Sequence, residues 1–252
     1  MIETAGRTAV VTGAASGIGF ALALHAARAG MAVAACDRDA GGLARLEAAL
    51  ADIGGSHIVR QLDVIDAAAM VSFAEAVAGS LPGVALLFAN AGILHTGSLL
   101  AMPVAEWRLM LDVNVVGTIA TVQAFAPAMV ARAEAAQIVI TGSTGSMLPG
   151  ANLTAYCATK HALWPVAEAL ADELAESAVG VSLLMPGAVA TRIFAATDPD
   201  RAAPADSITP DVAAALAFEG AVAGQAKILT HPAYVERFRQ RFDRVLDEVA
   251  QS

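Results

Sequence analysis

The chain has 252 residues, 57% of them hydrophobic, and a formal charge of −9. An acidic balance of this size argues against a nucleic-acid backbone as partner, because that binding needs clustered Lys and Arg to displace counterions. Two cysteines are too few for a disulfide framework or a structural zinc site, and the five histidines lack metal-ligand spacing, so no metal is expected. The length suits one α/β domain over 1–252. No apolar run of about 18 or more residues free of charge and glycine suggests a membrane span, and no signal segment precedes the first strand-like run. A cytoplasmic location is the expectation, with a small molecule as the partner.

RTAVVTG reads as a strand that hands over at TGAASGIG, Thr12 to Gly19, to a helix from about Gly17 to Ala29. Gly13, Gly17 and Gly19 allow a tight turn and close backbone approach. The following helix offers free N–H groups and a positive dipole end to a pyrophosphate. AVAACD is a second strand ending at Asp37, 18 residues past Gly19. A carboxylate there accepts both ribose hydroxyls of an adenosine and repels a 2′-phosphate, which predicts NAD in preference to NADP. Arg38 is read either as a phosphate partner or as a solvated neighbour of Asp37 and Asp39.

The alternation continues with a helix over Gly41 to Ile53, the strand HIVRQLDV, a helix over Asp66 to Ser80, the strand VALLFANAG and a long helix over about Val104 to Ala131. Next come QIVITGS, a helix over about Ala155 to Ser177, and the strand VGVSLLMPG. A stretch without periodicity from about Ala195 to Pro210 is expected to be a lid or surface loop. A helix after Pro210, the short strand KILT and a charged helix over about 232–250 complete the chain. This order predicts an α/β fold, a doubly wound Rossmann-type three-layer sandwich built on a parallel sheet with right-handed crossovers. YCATK places Tyr156 and Lys160 at i and i+4, on one helix face. By itself that spacing is also the ordinary edge of an amphipathic helix.

Taken in order and spacing, TGAASGIG, Asp37, Asp63-Val64, Asn90-Ala91-Gly92, Asn114, Ser143, YCATK and Pro186-Gly187 with Thr191 resemble the short-chain dehydrogenase/reductases, from about Arg7 to Thr191. The resemblance implies a seven-stranded parallel sheet with a nicotinamide cofactor across its carboxyl ends. It places Gly13, Ser16, Ile18 and Gly19 at the pyrophosphate, with Gly17 in the same turn, and Asp37 at the adenosine ribose. Asp63 and Val64 go to the adenine, and the Asn90 turn with Ala91 and Gly92 to the second ribose. Pro186, Gly187, Val189 and Thr191 fall at the nicotinamide.

By the same resemblance Asn114, Ser143, Tyr156 and Lys160 carry the chemistry. Tyr156 exchanges a proton with a secondary alcohol or ketone while hydride moves to or from NAD, Ser143 holds the substrate oxygen, and the residue matching Asn114 holds a water. A free tyrosine titrates at about 10, so Lys160 is expected to lower it. Among apolar residues near the mouth, Met147, Leu148, Leu153, Trp164, Ile193 and Phe194 are candidates to line a hydrophobic pocket. His95 is either a lining residue or a solvated loop histidine, and Cys157 is read as a small buried hydrophobe.

The chain departs from the family where many relatives end in a glycine-rich segment. Here a helix carries Val235, Phe238, Phe242, Val245 and Leu246 on one face, to pack on its own subunit, on a partner or over the substrate loop. His231 has no assigned role. A homodimer through the helices around Val104 to Ala131 and Ala155 to Ser177 follows by resemblance, and a homotetramer is left open. The alternatives to a dehydrogenase are an isomerase, lyase or dehydratase on the same fold and a non-enzymatic dinucleotide sensor. The intact Ser143, Tyr156 and Lys160 set disfavours both.

Overall fold

The computed structural model describes residues 1–191, 193 and 204–251. Its strands are β1 (Thr8–Thr12), β2 (Ala32–Asp37), β3 (His57–Gln61), β4 (Val84–Ala89), β5 (Ala136–Thr141), β6 (Val179–Met185) and β7 (Lys227–Leu229). The helices are α1 (Gly17–Arg28), α2 (Ala40–Ile53), α3 (Ala67–Ser80), α4 (Val104–Leu111), α5 (Gly117–Ala131), α6 (Thr154–Glu173), α7 (Pro210–Val222) and α8 (Tyr234–Ala250). The seven strands form one parallel sheet in the order β3-β2-β1-β4-β5-β6-β7. The chain runs outward through β2 and β3, then returns to the other side of β1 for β4. At that reversal the connections leave β1 and β4 in opposite directions and open a crevice at their carboxyl ends.

Successive strand residues point to opposite faces, and the two faces make two cores. Val11, Val33, Ala35, Phe88 and Leu184 pack with Leu22 of α1, Leu43 of α2 and Ala217 of α7. Val10, Ala34, Leu87, Ile138 and Leu183 pack with Met70 of α3, Phe125 of α5 and Leu163 of α6. Phe88 is wholly buried, so alanine there would cost about 3–5 kcal/mol. Side-chain caps fix three helix starts: Asp39 accepts from Gly42 N, Asp66 from Ala69 N and Thr209 from Val212 N, the last with Pro210 in the first turn.

The expected continuous helix over Val104 to Ala131 is interrupted by one π turn, Asp112–Val116, between α4 and α5. This extra residue carries Asn114, whose side chain reaches out of the helix to the backbone of Ile93, and π turns of this kind gather at functional positions. Val104–Ala131 is long and apolar enough to cross a membrane by length and composition, but over half of its apolar window is buried inside the protein. It reads as a core helix. Helix α6 stops at Glu173, short of the expected Ser177, because Ser177 turns back to bond Leu174 O through both its amide and its hydroxyl. Phe194 and most of the expected lid, up to Ala203, lie outside the described residues. Beyond them Ile208 bridges to Val189, and Thr209 starts α7.

Candidate active site

Sterics at the β1–α1 turn explain its glycines. Gly13 has φ +69°, and a Cβ there would sit 2.8 Å from Ala91 Cα. A Cβ on Gly19 would sit 2.2 Å from Gly13 O, so α1 can approach the turn only without one. Gly17 has φ +56°, and a Cβ there would sit 2.9 Å from Thr191 Cγ2, so the turn lies close against the segment after β6. Ser16 makes no side-chain cap, and the first turn of α1 holds no acid. The helix therefore presents unspent N–H groups and a positive end.

Neighbouring strand ends complete the cradle. Asp37 is fixed at both oxygens, Oδ2 accepting from Ala15 N at 3.0 Å and Oδ1 from Asp39 N at 2.9 Å. The Thr12 hydroxyl accepts from both Asn90 N and Ala91 N at 3.1 Å, and Asn90 Nδ2 donates to Thr12 O at 3.1 Å. These bonds lock the carboxyl ends of β1 and β4 together at the crevice.

A cavity of about 520 Å³ runs along that crevice, within the range of ligand sites. It begins at Asp37, Arg38, Asp63 and Val64 and passes Gly13, Ser16, Gly17, Ile18, Asn90, Ala91 and Gly92. It continues to Ser143, Tyr156, Lys160, Pro186, Gly187, Val189 and Thr191. Two expected residues are set back from the wall. Gly19 serves close packing behind the turn, and Asn114 is wholly buried behind Gly92 and Ile93. The glycine turn, the open end of α1 and the fixed carboxylate together fit a dinucleotide.

At the middle of the cavity β5 hands over to a short 3-10 turn, Thr144–Ser146, that Ser143 caps. Ser143 Oγ accepts from Gly145 N at 3.0 Å and donates to Pro186 O at 3.5 Å. Ser146 Oγ accepts from Ser143 N at 3.1 Å and donates to Lys160 O at 2.7 Å, which fastens the turn to α6. Tyr156 and Lys160 lie on the first turns of α6, the Lys160 Nζ 5.9 Å from the Tyr156 ring centroid. Nζ donates to Thr141 O at 2.8 Å, and Lys160 is 3% exposed. Asn114 Oδ1 accepts from Ile93 N at 2.8 Å, and Nδ2 donates to Ile93 O at 3.0 Å and to Thr159 Oγ1 at 2.9 Å. Thr159 in turn donates to Tyr156 O at 2.8 Å. A Cβ on Gly92 would stand 3.2 Å from both Asn114 Oδ1 and Lys160 Nζ, so the bare glycine leaves a small polar space between them.

The expected lowering of Tyr156 by Lys160 is not what the chain itself produces. Burial pushes the phenol up to about 12, opposed by its hydrogen-bonding neighbour Ser143, although the residue as a whole is only partly buried. Burial also brings Lys160 down from 10.5 to about 8. Both charged forms lose water on burial, and that loss is the largest cause of each shift.

Other expectations divide. Leu148, Leu153 and Ile193 line the cavity; Met147 and Trp164 do not. Trp164 lies under Lys227, whose Nζ is 5.0 Å from the ring centroid. His95 pairs with Glu106 and is not among the lining residues. The C-terminal helix, expected to pack on its own subunit, on a partner or over the substrate loop, enters the cavity: Tyr234 and Arg237 of α8 are part of its wall. His231 Nδ1 lies 3.2 Å from Gly187 N and 2.7 Å from Thr230 Oγ1, and its ring packs on Gly187. In the sequence, the i, i+3, i+4 spacing of Tyr234, Arg237 and Phe238 carries the signal for this wall. Among the described residues no group of three or more His, Cys, Asp or Glu is placed to hold a metal ion.

Comparison with known proteins agrees with this geometry. The chain is 32% identical over 247 residues to 1-deoxy-11-beta-hydroxypentalenate dehydrogenase of Streptomyces exfoliatus, covering 97% of this chain and 90% of that one. A crystal structure of a short chain dehydrogenase/reductase from Burkholderia phymatum in complex with NAD superposes with a TM-score of 0.91 at 33% identity, covering 98% of this chain and 97% of that one. A second, a putative NAD(P) dependent gluconate 5-dehydrogenase from Beutenbergia cavernae with bound NADP at low occupancy, gives 0.80 at 33% identity, covering 92% and 98%. The family model for short chain dehydrogenases matches residues 7–202. With this match and the seven-stranded doubly wound sheet, the chain belongs to the short-chain dehydrogenase family of oxidoreductases.

Proposed function

We propose that the protein interconverts a secondary alcohol and its ketone with NAD(H) as hydride partner, and that Tyr156 exchanges the hydroxyl proton. The observation that carries this reading is the meeting of Ser143, Tyr156 and Lys160 in the same cavity as the glycine turn and Asp37. The β1–α1 turn and Asp37 would hold the adenosine and pyrophosphate half, and the Pro186 to Thr191 segment the nicotinamide half. When bound, the oxidised nicotinamide would supply the hydride acceptor and a positive charge.

The chain's own groups do the rest. Ser143 Oγ, held by Gly145 N and Pro186 O, fixes the substrate oxygen beside Tyr156. With its phenol near 12, Tyr156 is protonated at neutral pH and ready to give its proton to a ketone oxygen. In the oxidising direction it takes the hydroxyl proton, and added positive charge or higher pH is needed to reach the phenolate. Lys160, near 8, is mostly an ammonium at neutral pH and favours that phenolate.

The Asp37 carboxylate at the adenosine end of the cavity supports NAD over NADP, because a 2′-phosphate beside it would meet a like charge. Arg38 borders the same end of the cavity. Apolar walls from Leu148, Leu153 and Ile193 suit hydrophobic substituents on the substrate, and kinship with a hydroxypentalenate dehydrogenase supports a hydroxylated one. Exposed Val104, Leu111 and Val116 on the α4–α5 helix support a dimer through that surface, which light scattering tests.

The direct experiment is a panel of alicyclic and aryl secondary alcohols with NAD⁺ at alkaline pH, and the matching ketones with NADH, followed by absorbance of the reduced cofactor. At least one pair should turn over. Silence across the whole panel in both directions would overturn the reading.

A further inference from the structure

Resting on that dehydrogenase reading, we propose that Arg237 and Arg241 form an anion subsite for a carboxylate carried by the substrate, remote from the reacting carbon. The charge distribution in the cavity is the starting point. Among the described residues its lining carboxylates are Asp37 and Asp63, at the adenosine end. Beyond Lys160 the described wall carries the hydroxyls of Thr191 and Tyr234 and one charged side chain, Arg237. In a chain with 24 acidic and 15 basic residues, a cation at a pocket mouth would be expected to find an acid. Its neighbours do: Arg239 pairs with Glu236, and Lys227 with Glu168. Among the described residues Arg237 has no such pair. Its guanidinium instead lies over the Tyr234 ring, 5.1 Å from the centroid.

Stacking on an aromatic face orients a guanidinium plane while leaving its N–H groups available. Tyr234, Arg237, Phe238 and Arg241 share one face of α8 at i, i+3, i+4 and i+7. Phe238 is buried in the core beneath α8, Tyr234 is partly buried, and Arg237 between them is exposed. Arg241 is partly buried, and its charge reaches Cys157, a lining residue next to Tyr156, where it opposes the rise that burial gives the thiol. Arg237 therefore stands in the cavity wall, with a second guanidinium, Arg241, one turn further along α8. Planar, forked donors match a carboxylate in two-point contact. The surrounding Leu148, Leu153 and Ile193 favour a lipophilic acid over a more strongly hydrated phosphate.

Calorimetric titration of the full chain saturated with NAD⁺ tests this. The probes are cyclohexanecarboxylate and cyclohexanebutyrate, each against its methyl ester, with cyclohexyl phosphate as a third arm. At least one acid should bind about tenfold or more tighter than its ester. The preference should vanish in Arg237→Met and weaken in Arg241→Met, while Arg239→Met, paired with Glu236, should keep it. Retained cofactor fluorescence and a single thermal transition confirm folding; if a variant fails to fold, the wild-type acid and ester comparison decides alone. Acids that bind no better than esters, a preference that survives both substitutions together, or tighter binding of the phosphate would overturn the proposal. Turnover of neutral alcohols by the wild-type chain is scored separately. Turnover without acid preference removes the subsite alone, and acid preference without any turnover removes the dehydrogenase reading alone.

Discussion

Replacing Lys160 by Met should stabilise the protein at neutral pH while disabling it. Lys160 is 3% exposed, and burial lowers its pKa from 10.5 to about 8. That fall corresponds to about 3 kcal/mol spent on keeping the ammonium charged, at about 1.4 kcal/mol per pH unit. Met keeps the stem but leaves Thr141 O without its 2.8 Å partner, a loss of about 1–2 kcal/mol. The net gain is about 1–2 kcal/mol, or about 2–6 °C in Tm for a chain of this length. The sign follows from linkage: between pH 8 and 10.5 the unfolded lysine holds a proton that the folded one has released, so wild-type stability rises with pH across that window. The advantage of Lys160→Met should therefore be full below pH 8 and shrink steadily above it. Thermal unfolding by circular dichroism at fixed protein concentration, from pH 6.5 to 10, measures the difference directly. A difference in Tm that stays constant over this range, or grows with pH, would refute the desolvation argument. Turnover should fall by about 10²–10⁴-fold, an exchange of stability for function often found at active sites.

Asp37→Ser removes the charge that opposes a 2′-phosphate, so the ratio of kcat/KM for NAD over NADP should drop by about tenfold or more; an unchanged ratio would move discrimination to Arg38. Gly19→Ala forces a Cβ to within 2.2 Å of Gly13 O, and NADH affinity by fluorescence titration should weaken by at least about tenfold. Asn114→Ala strands the amide and carbonyl of Ile93 and one bond of Thr159. Urea unfolding should show a loss of about 2–4 kcal/mol, and a loss below about 1 kcal/mol would mean that water replaces the side chain.

The order of strands and helices was legible because each buried strand is a short β-branched or alanine-rich run and each helix carries a periodic apolar face. Helix starts near Asp66 and Pro210 were legible too, and the structure adds the side-chain caps of Asp66 and Thr209 that fix them. The glycine turn and the Tyr156 and Lys160 pair were readable because their spacing is short-range. What could not be read depends on contacts between distant segments. The π turn at Asn114 exists because its side chain bonds Ile93, 21 residues away, and no local propensity announces it. The upward movement of Tyr156 depends on how completely the fold removes water, which spacing does not measure. Arg237 joins the cavity for a similar reason: α8 returns to the sheet through the packing of Phe238 and Tyr234 on the core.

The most direct test is Tyr156→Phe, which deletes one oxygen and leaves the ring in place. Ketone reduction under saturating NADH should fall by about 10³-fold or more, with NADH binding by fluorescence within about threefold of the wild-type chain. Turnover within tenfold of the wild type would show that the proton travels by another group.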